Sequence, residues 1–161
     1  MTDFQGLLQT LVRGGVELIL VGGAAATAHG SARLTADLDI VYARTRTNLL
    51  KIASALANKS PYLRGAPPGL PFRWDADTLE RGLNFTLTTS LGDLDLLGEI
   101  SGGGTYDNLL PHCVRITLFG VECNCLDLER LIMTKRAAGR PKDLEAIAEL
   151  EAILEERRRR P

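Results

Sequence analysis

The chain has 161 residues with nineteen basic and twenty acidic side chains, a formal charge of −1, so it lacks the positive excess with which a whole domain grips a polyanion. Hydrophobic residues make up 45% and charged residues 24%, which excludes disorder, and with 5% aromatics the core must be aliphatic. No apolar run approaches the roughly 18 residues of a membrane span, and the polar start Met1–Gln5 lacks the order of a signal peptide. The expectation is a cytoplasmic protein without a membrane partner. The length fits one domain, 1–161, with a core over about 14–125 and C-terminal helices over about 126–160.

In chain order, Phe4, Leu7, Leu8, Leu11 and Val12 fall at helical spacing, and Gly14-Gly15 ends that helix. Val16–Val21 is a short aliphatic run with the length of a buried strand. It stops at Gly22-Gly23, where the small residues Ala24–His29 predict a helix closed by Gly30. Asp37–Tyr42 alternates polar and apolar with period two, a strand carrying two carboxylates on one face. Thr47–Asn58 has a helical apolar stripe that would cover the sheet. Ser60–Gly82 holds Pro61, Pro67, Pro68 and Pro71, which excludes regular structure for most of it. Leu83–Thr89 and Asp93–Leu97 form a predicted hairpin across Leu91-Gly92, with Leu83, Phe85 and Leu87 on one face. Cys113–Leu118 and Val121–Cys125 form a second one across Phe119-Gly120. From Leu126 to Arg160 the pattern is helical. Leu128, Leu131 and Ile132 face inward, Gly139-Arg140-Pro141 is a break, and a last helix carries Leu144, Ile147, Ala148, Leu150, Ile153 and Leu154.

Two features combine into a chemical hypothesis. Gly22-Gly23 sits where a strand hands over to a helix, exposing amides that phosphate oxygens can approach without a Cβ in the way. After thirteen intervening residues comes Asp37-x-Asp39. Two ionised carboxylates on one strand face repel each other, and a divalent ion resolves that repulsion directly. Asp93-x-Asp95 on the later strand offers a third carboxylate. Asp95 is preferred, because it enters the apolar Leu96-Leu97 run, whereas Asp93 beside Gly92 can simply shape the turn. Three carboxylates around two magnesium ions suit in-line phosphoryl transfer from a nucleoside triphosphate.

The stretch Val21-Gly22-Gly23, followed by His29-Gly30-Ser31-Ala32-Arg33-Leu34-Thr35-Ala36-Asp37-Leu38-Asp39-Ile40, resembles the signature of minimal nucleotidyltransferases of the DNA polymerase beta superfamily. Its Arg-x-Thr-x-Asp-Leu-Asp form is similar to the toxin-type branch found in toxin–antitoxin and abortive-infection (AbiE-like) systems. Lys135 with Gly139–Asp143 resembles that branch's helical segment. The resemblance implies an α/β fold (α+β), a mixed sheet flanked by helices with a C-terminal helical segment. It also implies two Mg²⁺ ions and transfer of a nucleoside monophosphate from an NTP to a hydroxyl of RNA such as tRNA, or of a partner protein. On this chain it gives Asp37, Asp39 and Asp95 the metals and the catalysis. Gly22, Gly23, Arg33, Lys135, Arg140 and Lys142 become the nucleotide-binding candidates. Two alternatives stay open: a non-catalytic nucleotide-binding or antitoxin-like module, and a transferase acting on a small-molecule antibiotic.

Several residues also carry plainer readings. Arg33 either reaches phosphate or neutralises the aspartates. Lys135, Arg140 and Lys142 either bind nucleotide or favour a helix end, and Asp143 caps or pairs within the turn. His29 is a cap or supporting contact. Cys113, Cys123 and Cys125 lack zinc spacing, and the last two fit buried thiols. Trp74 and Phe72 anchor their loop or stack on a base. Ser101–Thr105 lacks the lysine of a P-loop and is expected to be a flexible loop.

Overall fold

The computed structural model describes residues 1–160. Asp3 accepts a hydrogen bond from the Gly6 amide at 2.8 Å and starts helix α1, Phe4–Arg13, whose Leu7, Leu8 and Leu11 are buried. Strand β1, Leu18–Leu20, is buried at every residue and leads directly into α2, Gly22–Ala28. Burying each aliphatic side chain of β1 contributes roughly 1.5–3 kcal/mol. Then follow β2 (Asp37–Tyr42), α3 (Arg46–Leu56), β3 (Tyr62–Leu63), α4 (Ala76–Arg81), β4 (Asn84–Thr89) and β5 (Gly92–Leu97). A small ribbon of β6 (Glu99–Ile100) and β7 (Gly104–Thr105) precedes the single-turn α5 (Tyr106–Leu109) and a 3-10 turn at Leu110–His112. The chain ends in β8 (Cys113–Leu118), β9 (Val121–Leu126), α6 (Leu128–Ala138) and α7 (Pro141–Arg159).

Seven strands form one mixed sheet in the order β3-β4-β5-β2-β1-β9-β8. The predicted hairpins β4–β5 and β8–β9 are its two flanks, each antiparallel. Its centre is assembled from distant segments: β2 runs antiparallel to β1 and parallel to β5, and β1 runs parallel to β9. This is the mixed α/β architecture flanked by helices, with the C-terminal helical segment in place. No helix among the described residues is long and apolar enough to cross a membrane.

Some local expectations change. The proline-rich span is irregular between 64 and 75, but near its end it forms α4, because Ala76–Arg81 contains no proline and Asp75 caps it by accepting from the Thr78 amide at 2.8 Å. Ser101–Thr105 is partly ordered, since Gly104–Thr105 pairs with β6. Leu83 and Leu144 are exposed rather than inward. Leu83 precedes the first paired residue of β4, and Leu144 lies on the first turn of α7, beyond the α6–α7 contact that buries Ile147 and Leu150. Trp74 anchors its loop, its Nε1 donating to the Ala53 carbonyl at 3.0 Å with Phe72 packed at 6.5 Å between ring centres.

Candidate functional site

The parallel pairing of β2 with β5 places Asp37 opposite Asp93 and Asp39 opposite Asp95. Period-two alternation then points all four carboxylates to the same face, while Leu38, Ile40, Leu94 and Leu96 go into the core. One oxygen from each of Asp37, Asp39 and Asp95 lies within 4.8 Å of the others, a set of donors suited to a hard divalent ion. Asp93 stands outside this trio.

The charge state follows from burial. Asp39 is pushed up to about 8 by burial first, then by the negative charge of Asp37 and the approach of Asp95. Burial and Asp95 also raise Asp37, against the pull of Arg64. The Oδ1 atom of Asp39 is buried with no hydrogen-bond partner. A carboxylate oxygen left in this condition costs free energy that a cation would recover.

The glycine corner meets the acids directly. Gly22 has φ +60°, and a Cβ there would fall 2.2 Å from the Asp39 Oδ2 atom. A Cβ on Gly23 would fall 2.6 Å from the Thr35 hydroxyl. No side chain caps the first turn of α2. The corner is locked to β2 by the Val21 amide, which donates to the Asp39 carbonyl at 3.1 Å.

A cleft of about 230 Å³ opens over this corner, and every candidate named from the sequence lines it: Gly22, Gly23, Arg33, Asp37, Asp39, Asp95, Lys135, Arg140 and Lys142. Lys135 is half-buried on α6; burial lowers its pKa, opposed by the negative charges of Asp143 and Asp39. Asp143 is almost fully buried, and there burial is outweighed by Arg140, whose Nε donates to its Oδ2 at 2.8 Å and holds the carboxyl below its usual range. Asp143 thus pairs within the turn, as expected.

Arg33 lines the cleft, but its Nη1 is drawn 3.4 Å from Glu145 on α7, so it does not neutralise the acids. That task falls to Arg64, which the sequence reading missed. Its Nη2 donates to Asp95 Oδ1 at 2.8 Å, and its Nη1 lies 3.4 Å from Asp37 Oδ2. Nothing local marked it, since it stands just past β3 in the proline-rich span. Glu149 was missed too: it accepts from the Ser31 hydroxyl and from the Ala32 amide at 3.1 Å, tying α7 to the segment between α2 and β2. His29 supports the same segment. Its Nε2 donates to the Leu126 carbonyl at 2.7 Å while Nδ1 accepts from Arg157 at 3.1 Å, so the imidazole is neutral, consistent with burial lowering its pKa. Cys123 and Cys125 are buried thiols, with Cys125 raised to about 12 by burial.

No protein-family model matches the chain, and no curated protein matches it. Among solved structures, the crystal structure of the lincosamide antibiotic adenylyltransferase LnuA with lincomycin bound is similar, with a TM-score of 0.61 and 16% sequence identity. The match covers 94% of this chain and 98% of that one. The likeness spans nearly the whole of both chains, and at this identity it is one of fold. The chain therefore has the fold of a nucleotidyltransferase.

Proposed function

We propose that this chain is a one-domain, magnesium-dependent nucleotidyltransferase, acting in the cytoplasm, that moves a nucleoside monophosphate from an NTP to an acceptor hydroxyl and releases pyrophosphate. The observation that carries the reading is the Asp37, Asp39, Asp95 trio beside the Gly22 corner, with an orphaned buried oxygen on Asp39. Those donors fit Mg²⁺, all oxygen and all carboxylate. Bound there, the ion supplies charge neutralisation for the triphosphate and a lowered pKa for the attacking hydroxyl.

The chain's own groups divide the remaining work. Gly22 and Gly23 let the triphosphate approach the backbone closely. Lys135, Arg140, Lys142 and Arg33 line the cleft and bind the polyanion, with Arg140 pre-set by Asp143. Asp95, on the strand bordering β4, would take the proton of the acceptor hydroxyl. Glu149 and His29 hold the Ser31–Arg33 turn that walls the cleft.

For the acceptor, the resemblance of Arg33–Asp39 to the toxin-type branch favours a hydroxyl of RNA or of a partner protein. A second reading, a small-molecule acceptor, is favoured by the similarity in fold to a lincosamide adenylyltransferase. One experiment tests both. The protein is incubated with Mg²⁺ and each labelled NTP, in separate arms with tRNA, a cell protein extract and a lincosamide, and pyrophosphate release and label transfer are read. Transfer in one arm, abolished by Asp39→Asn, supports the reading and names the acceptor. Nucleotide binding without pyrophosphate release in any arm would instead identify a non-catalytic nucleotide-binding module.

A further inference from the structure

The acid cluster has a resident counter-ion. Arg64 follows the two-residue β3, and its backbone amide donates to Thr86 at 2.9 Å, pinning it to β4. From that anchor one guanidinium reaches three carboxylates. Nη2 is 2.8 Å from Asp95 Oδ1, Nη1 is 3.4 Å from Asp37 Oδ2, and Nε is 3.5 Å from Asp93 Oδ1. Nη2 also donates to the Leu87 carbonyl at 2.8 Å. The side chain is 25% exposed, so these contacts are only partly screened.

Two of the three carboxylates held by Arg64, Asp37 and Asp95, belong to the trio suited to a metal. Asp39 makes no contact with Arg64 and keeps its unpartnered oxygen. The guanidinium therefore covers part of the trio and leaves the rest unsatisfied. A guanidinium and a divalent ion are both drawn to the lone pairs of Asp95 and Asp37, and those oxygens cannot serve both fully. From this geometry we infer that Arg64 sets the affinity of the site for divalent metal: it holds the acids together when metal is absent, and metal binding has to loosen its grip on Asp95 and Asp37. The Leu87 carbonyl, outside the trio and accepting from Arg64 Nη2, is where the guanidinium remains anchored; Asp93 lies near Nε, which makes no hydrogen bond, and adds only its charge. The inference rests on the metal reading of the trio.

The test is Mn²⁺ binding to the full chain without nucleotide, followed by electron paramagnetic resonance, alongside metal-free thermal melting. Arg64→Gln is expected to bind Mn²⁺ about tenfold tighter than the parent and to melt lower without metal, the loss being recovered on adding Mn²⁺. Arg64→Lys keeps the charge but cannot reach three carboxylates at once, so it should tighten Mn²⁺ binding by a smaller factor; it carries the test should the glutamine variant not fold. Arg33→Gln removes the same charge from the cleft without touching the acids and serves as the control. Equal Mn²⁺ affinity in parent and Arg64 variants, or an equal gain in Arg33→Gln, would overturn the role of Arg64 and leave the metal site standing. No Mn²⁺ binding by any of the proteins would overturn the metal reading, and this inference with it.

Discussion

The two ends of β2 bury polar groups in opposite ways. Beyond its C-terminal end, Asn48 of α3 is 1% exposed and fully satisfied: its Oδ1 accepts from the Glu17 amide at 2.7 Å, and its Nδ2 donates to the carbonyls of Ala43 at 2.7 Å and Glu17 at 3.0 Å. This neutral amide stitches the segment before β1 to the end of β2. Near the N-terminal end, Asp39 carries a buried oxygen with no partner, among like charges. Burial of a polar side chain is therefore no mark of function by itself. What separates the two ends is an ionisable group without satisfaction, the kind of feature that a bound ligand completes.

Substitutions at the two ends should move stability and activity in opposite directions. Asp39→Asn is expected to lower the transfer rate by on the order of a thousandfold, equivalent to about 4 kcal/mol of transition-state stabilisation. It should nonetheless raise the metal-free melting temperature above about pH 8, where Asp39 is ionised and the substitution removes a buried charge. Steady-state pyrophosphate release and melting in a chelator check the pair, and a variant that melts lower would contradict the account of Asp39. Gly22→Ala is expected to cost about a hundredfold in rate, because its Cβ would displace the Asp39 carboxylate and shift the metal donors.

Asn48→Ala should cost about 2–4 kcal/mol of stability by orphaning the groups at Glu17 and Ala43, with turnover per folded molecule unchanged. Urea unfolding measures the first and active-site titration the second. The pH dependence sharpens the same contrast. The folded pKa of Asp39 is raised from the usual 3.8 to about 8, so the folded state holds a proton that the unfolded chain has lost. Its contribution is fully present below about pH 4 and is lost as pH rises to about 8, with a slope of at most about 1.4 kcal/mol per pH unit. Asp39→Asn should flatten that slope in urea titrations of metal-free protein. The smallest effect is Arg140→Gln, expected to raise the KM for NTP about tenfold with a smaller change in kcat.

Much of the candidate site was legible because it is local. Gly22-Gly23 and Asp37-x-Asp39 lie on two consecutive elements joined by one short helix, and strand parity alone puts both carboxylates on one face. Lys135, Arg140 and Lys142 flank a helix break visible from Gly139 and Pro141. Arg64 and Glu149 were not legible. Their partners lie 31 and about 117 residues away, and nothing in the flanking residues of either states which strand or loop it will meet.

The sequence by itself determined most of the longer elements and the direction each side chain leaves its strand, because those depend on φ/ψ preference and periodicity within a few residues, whereas α4 and the short β3, β6 and β7 were not legible. Only the tertiary structure decided that Asp95 rather than Asp93 completes the trio. That choice depends on the register between β2 and β5, more than fifty residues apart in the chain, which is set by packing Leu38, Ile40, Leu94 and Leu96 into a common core. The same long-range packing brought a lone arginine from a proline-rich span onto the acid cluster, placing a counter-ion where the local sequence showed only negative charge.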